Sequence, residues 1–159
     1  CWKAAADGCG KDAWKQYAAE FLRASNYAGI AFGHAGCAAV HALSYPLGGA
    51  HHVPHGESNQ VMFAPVMKKY AEKKPDGKLV ELGVLVSKLL GCRAERGLEE
   101  LYVLMDRILE RKPMRAYGVT EEELPRYADS VVETQQRLLG NNYVPLSRDE
   151  ILAVYQSAY

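Results

Sequence analysis

Apolar residues recur every three or four positions along most of this chain, and no segment of strand length alternates between apolar and polar residues. The first pattern is typical of a helix with one buried face, whereas a half-buried strand requires the second. In segment 95–111, for example, one helical face consists of Leu98, Leu101, Leu104, Met105 and Ile108. The chain is therefore predicted to be all-α, a bundle of about seven helices in a single domain covering residues 1–159.

Capping residues and helix breakers divide the chain into predicted helices. Thr120 with Glu123 and Ser147 with Glu150 match the capping box, in which two side chains each bond the backbone N–H of the other residue. Segment 45–56 contains prolines and glycines and is predicted to be a loop. The predicted helices cover residues 11–28, 29–44, 57–73, 77–90, 95–111, 121–139 and 148–158. The helix at 29–44 is rich in glycine and alanine, so we expect it in the middle of the bundle, where backbones pack closely.

The charge balance of the chain excludes one class of function. Nineteen Lys and Arg residues offset nineteen Asp and Glu residues, so the formal net charge is zero. A protein that binds nucleic acid through bulk charge carries a surplus of positive residues that neutralise phosphates. The apolar runs are also shorter than a bilayer span requires. We therefore expect no nucleic-acid partner and no membrane association.

The four cysteines, at positions 1, 9, 37 and 92, include no Cys-x-x-Cys pair. The chain opens Cys1-Trp2-Lys3, and no apolar stretch of a signal peptide follows. We therefore predict reduced thiols in a cytoplasmic protein rather than a disulfide scaffold. The absence of an initial Met suggests a fragment of a longer protein.

The histidines are confined to one short region, at positions 34, 41, 51, 52 and 55. His41 lies near the end of the small-residue helix predicted at 29–44, and His55 ends the loop that follows. A helix end and a rigid loop can hold two imidazoles close together, and neutral imidazole binds Zn, Fe, Ni and Cu. The spacing alone is compatible both with a metal or active site and with surface or capping histidines.

Three runs in the sequence carry a family resemblance: His41-Ala-Leu-Ser-Tyr45-Pro-Leu-Gly-Gly49, then His55-Gly-Glu-Ser-Asn59, and Asn141-Asn-Tyr-Val-Pro-Leu-Ser147. The first two resemble the iron-containing (group III) alcohol dehydrogenases, in which a His-Ala-x-x-His-x-x-Gly run precedes His-Gly-x-x-Asn. The first and third together are most similar to the 4-hydroxybutyrate dehydrogenase branch of that family. The resemblance covers essentially the whole chain, as the helical C-terminal domain of such an enzyme.

The resemblance implies roles for four residues. His41 and His55 fall on two histidines that ligate the catalytic metal, Fe²⁺ or Zn²⁺. Phe32 falls on an aromatic residue that lines the pocket near the nicotinamide of NAD. Tyr45 occupies the position where many members carry a second His that relays a proton, and it is predicted to be catalytic as a hydrogen-bond donor.

The departure at Tyr45 leaves the proton relay open. A phenol is a poorer proton shuttle than imidazole at neutral pH, because it is a much weaker acid. His51 or His52 could act instead, since the loop brings them toward the same pocket, or both could be solvent-exposed loop residues.

The branch implies a substrate pair, 4-hydroxybutyrate and succinate semialdehyde, interconverted by hydride transfer to or from NAD. A bound divalent metal would polarise the substrate oxygen. The substrate also carries a carboxylate, which Arg binds through two hydrogen bonds, so Lys112 and Arg115 are candidates to meet it. Alternatively, both are basic residues at a helix C-terminus, where the helix dipole favours positive charge.

The chain lacks parts that the family enzyme needs. It contains no Asp-x-x-x-His, which supplies the family's two further metal ligands, and no Gly-Gly-Gly-Ser phosphate loop. The resemblance therefore implies that a preceding nucleotide-binding domain is absent from this chain, that the fragment alone is inactive, and that the complete enzyme is a homo-oligomer acting on a small hydroxy acid or aldehyde.

Four other interpretations stay open at this point. One is an iron-containing alcohol dehydrogenase with a different small alcohol, and another is a zinc-dependent relative of glycerol dehydrogenase or dehydroquinate synthase. The third is a stand-alone metal-binding module in which His51 or His52 joins His41 and His55. The fourth is a helical interaction domain whose histidines are structural.

Overall fold

The computed structural model describes residues 1–9 and 12–159, and no strand occurs among them, so the predicted all-α class is confirmed. The α-helices are Trp2–Ala4 (α1), Ala13–Gln16 (α2), Ala18–Ala35 (α3), Ala39–His51 (α4), His55–Lys73 (α5), Lys78–Leu90 (α6), Gly97–Ile108 (α7), Glu123–Thr134 (α8), Gln136–Leu139 (α9) and Arg148–Ala158 (α10). Short π-helical and 3₁₀ segments are Ala5–Cys9, Ala94–Arg96 and Met114–Tyr117. No helix in this part of the chain combines the length and the apolar character needed to cross a bilayer.

The chain divides into two compact units, each built from two separated segments. The first unit contains residues 1–36 and 80–110, and the second contains residues 37–79 and 111–159. Four of the five histidines belong to the second unit, and His34 belongs to the first. The predicted metal ligands and the predicted catalytic tyrosine therefore share one unit.

In the first unit, α7 contacts the N-terminal turns and α6. Arg107 on α7 donates to the Ala6 carbonyl oxygen at 2.9 Å and forms an ion pair with Asp7 at 3.0 Å. Gly97, at the start of α7, lies so close to Gly83 that a Cβ at position 97 would overlap the Gly83 carbonyl oxygen. This approach of two helix backbones therefore requires glycine at position 97.

The core of the second unit lies where α4, α5, α8 and α10 pack together. Each of these helices contributes fully buried side chains, among them Leu43, Leu47, Met62, Leu124, Ile151 and Tyr155. Burying an aliphatic or aromatic side chain of this size contributes about 1.5–3 kcal/mol. The core therefore holds α4 and α5, which carry the candidate site, in one arrangement.

The structure contradicts the loop predicted at 45–56. Helix α4 continues through Pro46 to His51, and only residues 52–54 separate it from α5. Proline has no N–H to donate to the Ala42 carbonyl, so the local rule predicts a break. The helix nevertheless persists here: Leu43 and Leu47, on either side of Pro46, are fully buried, and the Leu43 carbonyl accepts a hydrogen bond from the buried Tyr155 hydroxyl at 2.9 Å.

The predicted boundary between helices 11–28 and 29–44 is also wrong. Helix α3 runs through position 28 and ends at Gly36, where φ is +77°, a value that glycine adopts readily. Only the second half of segment 29–44 is buried, since α3 has no buried residue among its described side chains whereas Ala39 and Ala42 are fully buried. The predicted start at Lys11 and the side chain of Trp14 lie outside the described residues.

The remaining helix ends agree with the capping rules in part. Ser147 opens α10 with a complete capping box, since its hydroxyl accepts from the Glu150 N–H at 3.2 Å and the Glu150 carboxylate accepts from the Ser147 N–H at 2.7 Å. At the start of α8 only half of the predicted box forms, the hydrogen bond from the Thr120 N–H to Glu123 at 2.7 Å. Helix α8 begins at Glu123 rather than 121, and the helix predicted to reach 139 divides at 135.

Three cysteines, Cys1, Cys37 and Cys92, are free thiols, as expected for reduced cysteines. The side chain of Cys9 lies outside the described residues.

Candidate metal centre

The turn between α4 and α5 brings two predicted metal ligands together. His52 ends α4 in the left-handed conformation, with φ of 54°, and the chain reverses into α5 at His55. The imidazole centroids of His41 and His55 lie 5.3 Å apart, with ring planes inclined by 48°. Two imidazoles at this separation can present nitrogen lone pairs to one ion, so the pair has the donor chemistry of a divalent metal site.

The short turn is fixed by hydrogen bonds from the first turn of α5. The buried Ser58 hydroxyl lies 3.2 Å from the Val53 carbonyl oxygen and 3.1 Å from the Pro54 carbonyl oxygen. Gly48 on α4 faces the same turn, and a Cβ there would lie 3.5 Å from the Val53 carbonyl oxygen. The two helices therefore approach closely where the histidines project.

Tyr45 joins the histidine pair, as its position one helical turn after His41 suggests. Its ring lies 6.3 Å from the ring of His55, with planes 30° apart, and the side chain is exposed. Phe32 lies on α3 in the first unit and is 58% exposed. The structure thus brings together His41, Tyr45 and His55, and their chemical roles stay predictions.

The surroundings of His41 favour its neutral form. Partial burial lowers the pKa of His41, and the nearby His55 lowers it further because two adjacent positive rings repel each other. A metal binds only the unprotonated nitrogen of an imidazole. His41 is therefore available as a ligand without first losing a proton at neutral pH.

Asn59 is a site residue to which the sequence analysis assigned no role. It lies one turn after His55 on α5, and its side-chain amide lies 3.0 Å from His55 Nε2. The spacing of four positions on one helix was the available signal, because residues i and i+4 lie on the same face. The amide oxygen of Asn59 is buried and has no hydrogen-bond partner among the described residues.

The structure places His51 against α8. Its Nε2 lies 3.0 Å from a carboxylate oxygen of Glu123, which also accepts from the Tyr127 hydroxyl at 3.0 Å. The hydrogen bond from the Thr120 N–H, followed by those from the side chains, lowers the pKa of Glu123 to about 2. One ring nitrogen of His51 is therefore already engaged by Glu123, which a proton-relay role would have to accommodate. His52 is exposed at the end of α4.

Lys112 and Arg115 lie on the segment that precedes α8. Arg115 donates to the main-chain oxygen of Tyr159 at 3.1 Å, and the two basic residues border a cavity of about 300 Å³. The Lys112 ammonium lies 5.9 Å from the centre of the Tyr117 ring. The Tyr117 hydroxyl donates to Glu57 at 3.1 Å, so this segment contacts α5 two residues beyond His55.

Among the side chains that the structure describes, no group of three or more His, Cys, Asp and Glu is arranged to hold a metal ion. The alternative of a self-contained site, with His51 or His52 added to His41 and His55, is therefore not supported. Zinc sites use three or four protein ligands. The histidine pair fits two positions around a divalent metal, and the described residues do not complete the set.

Comparison with known proteins identifies the family. Residues 5–159 match the family model described as Fe-containing alcohol dehydrogenase family, C-terminal. The chain is 51% identical over 140 residues to the 4-hydroxybutyrate dehydrogenase of Clostridium kluyveri, an alignment covering 88% of this chain and 38% of that protein. It is 36% identical over 149 residues to long-chain-alcohol dehydrogenase 1 of Geobacillus thermodenitrificans, covering 91% and 38% of the two chains.

A solved structure shows the same fold. The archaeal halo-thermophilic Red Sea brine pool alcohol dehydrogenase ADH/D1, bound to NZQ, superposes with a TM-score of 0.69 at 20% identity, over 78% of this chain and 33% of that one. The chain spans about two fifths of the length of the curated relatives described above. The predicted family and the similarity to 4-hydroxybutyrate dehydrogenase are both confirmed. This chain belongs to the Fe-containing alcohol dehydrogenase family, and it matches the helical C-terminal region of that family.

Proposed function

We propose that this chain is the metal-binding helical part of an NAD-dependent alcohol dehydrogenase that interconverts 4-hydroxybutyrate and succinate semialdehyde. The supporting observation is the pairing of His41 and His55 at 5.3 Å on the α4–α5 turn. The 51% identity to a 4-hydroxybutyrate dehydrogenase supports the substrate. Because the chain spans 38% of that relative, the other metal ligands and the nucleotide-binding domain would come from the rest of a longer protein.

Each predicted site residue has a task in this proposal. His41 and His55 hold Fe²⁺ or Zn²⁺, which when bound supplies a Lewis acid that polarises the substrate oxygen. Tyr45, beside His55, donates a hydrogen bond toward that oxygen and orients it. Phe32 would line the pocket for the nicotinamide of NAD, the group that would supply the hydride chemistry.

Asn59 and Ser58 support the ligands from α5. Asn59 would accept the Nε2 proton of His55 through its otherwise unpartnered amide oxygen, which leaves Nδ1 of His55 for the metal. Ser58 fixes the turn that returns the chain toward His41. Partners of this kind orient metal ligands, and their loss typically reduces metal affinity about 10–100-fold. Both proposed ligands thus lie on helices, His41 on α4 and His55 on α5, rather than on a loop.

The proposal extends to the substrate's carboxylate and to the cellular setting. Lys112 and Arg115 border a cavity in the same unit and provide positive charge that a hydroxy acid requires. The free thiols of Cys37 and Cys92 suit the reducing cytoplasm, where we place the enzyme as a homo-oligomer.

The test uses the full-length gene product, stripped of metal and reloaded with Zn²⁺ or Fe²⁺. We expect His41→Ala and His55→Ala each to reduce metal affinity by more than about 100-fold, exceeding the effect typical of a residue that only orients a ligand. Metal content by mass spectrometry and NAD reduction with 4-hydroxybutyrate are the measurements. His52→Asn is the matched control, because asparagine tolerates the left-handed conformation of position 52.

Full metal occupancy in both alanine variants would contradict the proposed ligands. Normal occupancy in the wild type, with turnover of 1-butanol but none of 4-hydroxybutyrate, would instead favour an alcohol dehydrogenase with a different small substrate.

A further inference from the structure

The N-terminus of α4 lacks a cap of its own. The preceding residue, Ala38, has a methyl side chain and cannot accept a hydrogen bond from the first N–H groups of the helix. Helices usually begin after Ser, Thr, Asp or Asn, which supply that acceptor. Here it comes from 103 positions away, because the Asn142 side-chain oxygen accepts from the Ala39 N–H at 2.8 Å.

Further contacts hold Asn142 in this position. The Tyr70 hydroxyl donates to the same side-chain oxygen at 2.8 Å, and Tyr70 packs edge-on against Tyr143, with 6.1 Å between ring centres. The adjacent Asn141 donates from its side-chain amide to the Cys37 carbonyl oxygen at 3.1 Å. The Asn141–Asn142 pair thus bonds the chain on both sides of residue 38, immediately before α4 begins.

The hydroxyl of Tyr70 is a constant donor in this arrangement. Burial raises the pKa of Tyr70 to about 12, so the group stays protonated at neutral pH. Only the side-chain oxygen of Asn142 is used, since its side-chain nitrogen is buried without a hydrogen-bond partner among the described residues.

His41 is the third residue of the helix that Asn142 caps. Ala39 and Ala42, on either side of it, are fully buried, so the first turn of α4 lies against packed neighbours. We infer that Asn142 is a positioning residue for His41: by fixing where α4 starts, it orients the imidazole toward His55. This inference rests on the proposed function, in which His41 is a metal ligand, and it gives a role to the Asn141–Ser147 run.

The experiment measures Co²⁺ binding to the full-length protein, by competition with a chelator and by the visible absorption of the bound ion. We expect Asn142→Ala to bind Co²⁺ about 10–100-fold more weakly and to change the absorption spectrum, since ligand orientation affects both. Asn142→Asp keeps an acceptor for the Ala39 N–H and is expected to restore affinity to within about 3-fold of wild type.

The matched control is Ser147→Ala, which removes the cap of α10 within the same segment. Both caps contribute to stability, so both alanine variants should lower the Tm of the metal-free protein. Only Asn142→Ala should change Co²⁺ affinity. A lower Tm with unchanged affinity and spectrum in Asn142→Ala would overturn the inference, because the cap would then be structural only.

Tyr70→Phe provides a milder variant, since it removes only the hydroxyl that helps to fix Asn142. We expect about 3–10-fold weaker Co²⁺ binding, at the lower end of the effect of a supporting residue. Unchanged affinity in Tyr70→Phe would also count against the inference. His41→Ala separates the two claims: wild-type Co²⁺ affinity in that variant overturns the proposed function itself, whereas a loss there beside normal binding in Asn142→Ala overturns only the role of Asn142.

Discussion

Removing one hydroxyl from the core of the second unit tests how strongly α10 supports α4. Tyr155 is fully buried, and its hydroxyl donates to the Leu43 carbonyl oxygen at 2.9 Å. Pro46 cannot donate to the Ala42 carbonyl, one residue before Leu43, so the hydrogen-bond ladder of α4 is already interrupted beside this contact. Tyr155→Phe keeps the ring and removes this donor.

The size of the effect follows from the hydrogen bond alone. A typical bond contributes about 0.5–1.5 kcal/mol, and an unsatisfied buried group costs about 1–3 kcal/mol. Phenylalanine retains the edge-on contact with Tyr127, whose ring centre lies 5.8 Å away, so no cavity term is added. We expect Tyr155→Phe to lower the free energy of unfolding by about 1–2 kcal/mol, or the Tm by about 2–8 °C.

Urea unfolding followed by circular dichroism measures this difference. Burial raises the pKa of Tyr155 above its usual value, so the hydroxyl stays protonated and the loss should be constant from about pH 6 to pH 9. Tyr27→Phe, at a position 69% exposed on α3, is the control and should change stability by less than about 0.5 kcal/mol. A loss in Tyr155→Phe no larger than that of the control would refute the reasoning.

Two further changes test the charges around the site. The hydrogen bonds that lower the pKa of Glu123 to about 2, below its ordinary value of 4.5, stabilise the fold above about pH 5 and lose their effect as the pH falls through 2. Glu123→Gln should therefore lower the free energy of unfolding by roughly 1–2 kcal/mol at pH 7, after allowance for solvent screening, and by less at pH 3. Equal losses in urea titrations at both pH values would contradict this. Arg115→Ala in the full-length enzyme should raise KM for 4-hydroxybutyrate about 10–100-fold, the equivalent of one charged hydrogen bond, with little change for 1-butanol. Equal effects on both substrates would exclude Arg115 as the carboxylate partner.

Local rules predicted the features whose causes are local. The capping box at Ser147 depends on two residues three positions apart, and α6 ends at Leu90, before Gly91, which has φ of +72°. The rules failed at Pro46, because α4 is held by tertiary packing that local rules do not include, such as the contact of Leu43 with Tyr155, more than 100 positions away. They also misplaced the end of α3, since Gly29 and Gly36 differ only in the backbone conformation that the fold imposes.

In the candidate site, too, some residues were predicted from the sequence and others were not. The family resemblance predicted His41, Tyr45 and His55 as a group, and the short turn between α4 and α5 brings their rings together. The residues that hold this hairpin in place carry no comparable signal. Glu123 lies 72 positions from its partner His51, and Asn142 lies 103 positions from Ala39, so periodicity and spacing could not pair them.

The division of the chain into two interleaved units has a consequence for synthesis. The second unit takes residues 37–79 and 111–159, so it is complete only when the last helix has been made. Asn142 is translated about 87 residues after His55, a delay of about 4–17 s at common elongation rates. During that delay the nascent chain holds both histidines but neither the cap of α4 nor the hydroxyl of Tyr155. A chain that terminates before α10 would likewise keep both candidate ligands and lose the Tyr155 contact that helps to position α4.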